Sequence, residues 1–136
     1  MSSQKQFPVI DKVMTDLGFK LVTVQSDLIM FRNWTAEYEK ADCFAVKFIK
    51  DRQDLCLDIK PLIGLFASAR WYPLGKFLQA LKENGYPVVW AKDHEIDSVE
   101  TYIGNTMKLL ISIKDRLQFS CLDGISLRKK QEDEFP

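Results

Sequence analysis

The sequence is poor in several residues on which chemistry depends. Its 136 residues hold a single histidine, His94, so any reaction that needs an imidazole base would have to use that one. No G-x-S-x-G or other nucleophile signature occurs, and neither G-x-G-x-x-G nor G-x-x-x-x-G-K-[ST] is present. The six glycines are scattered, which argues against a Gly-rich phosphate cradle. An excess of charge is missing too. Lys plus Arg and Asp plus Glu each number 19, whereas proteins that grip phosphates usually carry a basic surplus, so direct nucleic-acid binding is not expected, although a balanced total leaves room for a local basic patch.

Long apolar runs are also absent. Leu62–Ala67 and Leu109–Ile111 fall far short of the ~20 residues that span a bilayer. Met1–Pro8 lacks the apolar stretch of a signal peptide, so the expected setting is cytoplasmic, away from membranes. The three cysteines, Cys43, Cys56 and Cys121, have no C-x-x-C spacing and read as reduced, buried small hydrophobes. Asn33-Trp34-Thr35 matches a glycosylation sequon, which carries no weight without secretion.

What is present suits a packed globular domain. Hydrophobic residues make up 46% of the chain, and nine Phe, four Tyr and three Trp supply bulk. The expectation is one α+β domain over residues 1–136, with its core within about 7–122 and a mobile charged tail over 127–136. Ile10, Val13, Met14 and Leu17 recur at helical spacing, and Gly18 stands where a C-terminal cap belongs. Pro8 would occupy the first turn of that helix, where its missing N–H is not needed.

Two hairpins are expected next. A turn at Ser26-Asp27 would set Val24 opposite Ile29 and Val22 opposite Phe31, sharing an apolar face. A turn at Arg52-Gln53 would set Phe48 opposite Leu57, Val46 opposite Ile59 and Phe44 opposite Pro61, with Lys47 meeting Asp58 on the other face. Residues 62–69 suit either a strand or a buried loop. Trp71, Leu74, Phe77, Leu78 and Leu81 share one face of a helix over Trp71–Asn84 that ends at Gly85, and Ile96 to Leu117 forms the longest helix. The predicted architecture is an antiparallel sheet of two hairpins, packed against an N-terminal helix and two C-terminal helices.

Candidate chemistry is sparse. His94, Asp93, Asp97 and Glu100 share a helix start where they could approach a metal, but acids there are equally explained by the helix dipole. Neither a catalytic residue nor a metal ligand nor a cofactor is assigned. The segment joining the hairpins, Asn33–Asp42, mixes aromatics with acids, and Trp34, Glu37, Tyr38 and Glu39 are its candidate partner-binding residues. The competing reading is that Trp34 and Tyr38 close the edge of the core. Arg70-Trp71-Tyr72 is a second such cluster, in which Trp71 belongs to the helix core and Arg70 and Tyr72 remain open.

The helix ending in Leu17-Gly18-Phe19, the segments Leu28-Ile29-Met30-Phe31 and Cys43–Phe48, and the helix Trp71 to Leu81 together resemble small cytoplasmic immunity proteins of bacterial polymorphic-toxin and contact-dependent growth-inhibition systems. That resemblance spans about residues 7–117 and implies a non-catalytic protein that binds and neutralises a cognate toxin. Many such toxins attack nucleic acids and are basic, which an acidic loop would complement. The alternatives are a small enzyme or ligand-binding domain with a pocket between sheet and helices, and a homodimeric adaptor.

Overall fold

The structure is a computed structural model that describes residues 3–26, 33–51, 54–62, 70–86, 96–120 and 124–127. It is an α+β fold in which a five-stranded antiparallel sheet, a small two-stranded sheet and three helices share one core. Helix α1 (Ser3–Asp16) is followed by β1 (Lys20–Ser26), β2 (Asn33–Glu39), β3 (Phe44–Asp51), β4 (Asp54–Pro61) and the short β5 (Tyr72–Pro73). Then come α2 (Gly75–Glu83), α3 (Ile96–Ser112), a 3-10 turn at Lys114–Arg116, β6 (Leu117–Ser120) and β7 (Gly124–Leu127). The large sheet is a meander in chain order, β1-β2-β3-β4-β5, and β6 pairs with β7 separately.

The ends of α1 and α2 both follow from glycine. Gly18 has φ +91°, and its N–H donates to the Thr15 carbonyl while that of Phe19 donates to Met14. Gly85, at φ +87°, repeats the arrangement, with its own N–H on Lys82 and that of Tyr86 on Leu81. These paired bonds satisfy helix-end carbonyls in a left-handed conformation that a side chain would strain. At its other end α1 begins at Ser3, so Pro8 lies inside the helix rather than in its first turn, and one backbone bond is forgone.

The hairpin of β3 and β4 has the expected register: Phe48 pairs with Leu57, Val46 with Ile59, Phe44 with Pro61 and Lys47 with Asp58. The first hairpin differs. Val24 pairs with Ala36, and β1 runs against Asn33–Glu39, so the segment expected to be a loop is a strand. The chain instead reverses at Lys40–Cys43, where Asp42 takes φ +60° and the Cys43 N–H donates to the Lys40 carbonyl. Ile29 and Phe31, the expected partners, lie outside the described residues. The sheet is therefore not built from two separate hairpins, because β2 pairs with both β1 and β3.

The core gathers Ile10 and Met14 of α1, Leu78 and Leu81 of α2, and Ile103, Met107 and Leu110 of α3 against Trp34, Tyr38, Phe44, Phe48 and Ile59 of the strands. Each of these large side chains contributes about 1.5–3 kcal/mol by leaving water. The last helix stops at Ser112, and Leu117, expected to be helical, opens β6. The β6–β7 pair extends the ordered fold past the expected core limit, with Phe119 tilted against Tyr72 at 5.1 Å between ring centroids. No helix among the described residues is long and apolar enough to cross a membrane.

Candidate functional site

Strand alternation decides where each candidate side chain goes. On β2, Trp34, Ala36 and Tyr38 are buried, while Asn33, Thr35, Glu37 and Glu39 project to the opposite face. Trp34 and Tyr38 are therefore core residues and cannot serve as surface contacts. Trp34 packs edge-on against Phe7 of α1 at 5.5 Å. The Tyr38 hydroxyl donates to Asp11 Oδ1 at 2.7 Å, which joins sheet to helix.

The outer face of the sheet collects the remaining polar groups in rows set by the registers. One row runs Thr23, Glu37, Lys47, Asp58 and Pro73 from β1 to β5. The next runs Lys20, Glu39, Ala45 and Lys60. Glu37 and Glu39 thus do not form an isolated acidic patch. Glu37 lies 3.6 Å from the Lys47 ammonium, and Glu39 sits across from Lys20. A half-exposed ion pair of this kind contributes at most about 1 kcal/mol, so its importance lies in fixing side-chain positions.

Trp71 closes this face. Half-buried just before β5, it is approached by the Lys47 ammonium at 4.5 Å and the Lys60 ammonium at 4.8 Å from the ring centroid. Two cations on one indole are each worth roughly 0.5–1 kcal/mol at a partly exposed site. Asp58, paired across the strands with Lys47, completes the cluster. Burial pushes its carboxyl above the usual carboxylate range, and Lys47 opposes that rise without cancelling it.

Trp71 therefore belongs to the outer face and not to the core of a helix, since α2 begins only at Gly75. Tyr72 is the buried member of its cluster, pointing to the core opposite Ile59, with the Arg70 guanidinium 5.4 Å above its ring.

No protein-family model, curated protein or solved structure matches this chain.

His94 and Asp93 lie outside the described residues, as does Cys121. No group of three or more His, Cys, Asp or Glu is placed to hold a metal ion among the described residues. Cys43 is buried as expected, and burial pushes its thiol up despite Lys114 and Lys40 nearby, which leaves it a poor nucleophile. Cys56 departs from expectation, being exposed on the outer face opposite Ile49. A groove of about 510 Å³ runs between α2 and β7, lined by Phe77, Leu81, Tyr86, Ile125 and Leu127 among others. Among the described residues its lining includes no carboxylate, imidazole or thiol, and its polar side chains are Asn84, Tyr86 and Ser126.

The sequence reading missed Trp71, Lys47, Lys60 and Asp58 as a surface cluster. The Lys47–Asp58 pairing was the one legible signal, because it followed from the hairpin register.

Proposed function

We propose that the chain acts by binding another protein through the outer face of its sheet, as an immunity-type inhibitor of a cognate toxin domain. The supporting observation is Trp71, an aromatic plane flanked by Lys47 and Lys60 on a face that also carries Glu37, Glu39 and Asp58. Aromatic anchors ringed by polar groups are the usual composition of interface hot spots. Glu37 and Glu39 belong to this surface, whereas Trp34 and Tyr38 serve the core. Asp58 adds weight, since a carboxylate held where burial disfavours its charge lowers stability, a loss commonly tolerated at functional sites. Lysines matching the two β2 acids make the face mixed in sign, so the partner surface it fits is itself mixed rather than uniformly basic.

The test is growth of cells expressing the toxin domain encoded beside this chain's gene. Wild type should restore growth, and Trp71→Ala or Lys47→Glu should lose the protection while remaining folded. No restoration by wild type, or a gene neighbourhood without a toxin, refutes the reading.

A further inference from the structure

The large hydrophobic side chains that stand exposed among the described residues all belong to one strand. They are Leu21, Val22 and Val24 of β1, at 38%, 53% and 43% exposure. β1 lies at the end of the sheet order, paired with β2 along one edge, and among the described residues no strand pairs with its other edge. Natural edge strands are guarded by lysines, prolines, inward charges or bulges. β1 has no proline and one charge, Lys20, and its single irregularity falls between Leu21 and Thr23. The stretch from Thr23 to Ser26 beyond it is regular and opens with the β-branched pair Thr23 and Val24.

We propose that this edge pairs antiparallel with β1 of a second copy of the chain, joining two sheets into one across a two-fold axis. Such an interface is isologous, so the strand must suit its own reversed copy. In a continuous sheet, residues directly opposite one another share a face. Val24, paired with buried Ala36, belongs to the core side, so an axis through Val24 sets it against its own counterpart. Thr23 then faces Gln25 of the second copy twice, both on the outer side. No charged residue opposes a like charge within this regular stretch. A shift of one residue would oppose core-side to outer-side residues, so the axis must pass through a residue, and the axis through Val24 is the register that the variants below test. The contact is separate from the Trp71 face and does not depend on the function proposed for it.

Sedimentation velocity over a range of concentrations tests the pairing. Wild type should sediment at twice the single-chain mass and dissociate on dilution. V24K and V24E should each sediment as single chains, because like charges then meet on the axis, and an equimolar mixture should regain the dimer. Trp71→Ala should dimerise as wild type does. Far-UV circular dichroism of both Val24 variants should match wild type, since the side chain they replace is already exposed. The proposal is overturned if wild type remains a single chain throughout, as it would if β1 accepted only a foreign strand. It is also overturned if either single variant stays dimeric, or if the mixture does not reassociate.

Discussion

Replacing Tyr38 with Phe removes one hydroxyl from a completely buried ring and tests what ties the sheet to α1. The ring keeps its packing, including the edge-on contact with Phe48 at 5.8 Å, so no cavity opens. What is lost is a 2.7 Å hydrogen bond to the Asp11 carboxylate. A bond to a charged acceptor contributes about 1.5–3 kcal/mol, and Asp11 is only half-buried, so water recovers part of its hydration. The expected loss is therefore at the lower end, about 1.5 kcal/mol near neutral pH. In a domain of this size that lowers the melting temperature by roughly 5 °C.

The same bond makes the difference depend on pH. Burial foremost, then the Asp11 hydrogen bond and the Asp11 charge, push the Tyr38 phenol far above its ordinary value of 10.0. Below pH 10 the folded and unfolded chains both carry the proton, and the contribution is present in full. Above it the unfolded chain ionises while the folded chain does not, so wild-type stability falls by about 1.4 kcal/mol per pH unit. Tyr38→Phe has no such proton, so its deficit should close about one unit above pH 10 and then reverse. Tyr102, raised by burial foremost, weakens both proteins alike and cancels in the comparison. Urea denaturation of the two proteins across this range decides the matter. A gap that does not change with pH, or no gap at neutral pH, refutes the argument.

Asp58→Asn should be more stable than wild type at neutral pH. Its folded carboxyl is raised by burial, so the benefit of the neutral form is complete below its ordinary value of 3.8 and lost as pH rises through the folded pKa. The difference in melting temperature should therefore vanish in acid, and a less stable variant at neutral pH would contradict this. Alkylation with iodoacetamide should modify Cys56 in the folded protein and spare Cys43 until denaturant is added, as read by peptide mass mapping. Equal rates at the two thiols would show that the outer-face position of Cys56 is wrong.

Much of the fold was legible because its signals were local and mutually consistent. Gly18 and Gly85 marked helix ends that only a left-handed residue can make, and Lys47 meeting Asp58 agreed with the apolar pairing of Phe48 and Leu57. The first hairpin was misread because both candidate partners for β1 carry apolar residues. Leu28–Phe31 lies nearer in sequence, and a short turn costs less loop entropy, so it looked the better partner. Asn33–Glu39 alternates apolar and polar with period 2, and that strand signal was outweighed by the expectation that charged aromatic segments are loops. Leu117 continued the stripe of α3, and nothing in its residue type shows that the backbone changes to a strand there.

The candidate site was misread through that same strand. Trp34 and Tyr38 stood among acids, and a loop would have left all of them in water together. Once the segment is a strand, its period of two separates them, sending the aromatics to the core and Glu37 and Glu39 to the opposite face. The converse error befell Trp71, whose spacing to Leu74, Phe77 and Leu78 fits a helical face. Because α2 starts at Gly75, Trp71 lies upstream of the helix, and the chain carries it over Lys47 and Lys60 instead. Spacing assigns a face only after the limits of an element are known, and a shift of four residues in the start of α2 was enough to exchange a core tryptophan for a surface one. Two lysines drawn from different strands to one indole could not be foreseen without the β3–β4 register and the position of β5 together. The register was readable from the hydrophobic pattern. A strand of two residues, Tyr72 and Pro73, is too short to leave a periodic signal, and it is that strand which anchors Trp71 beside the sheet.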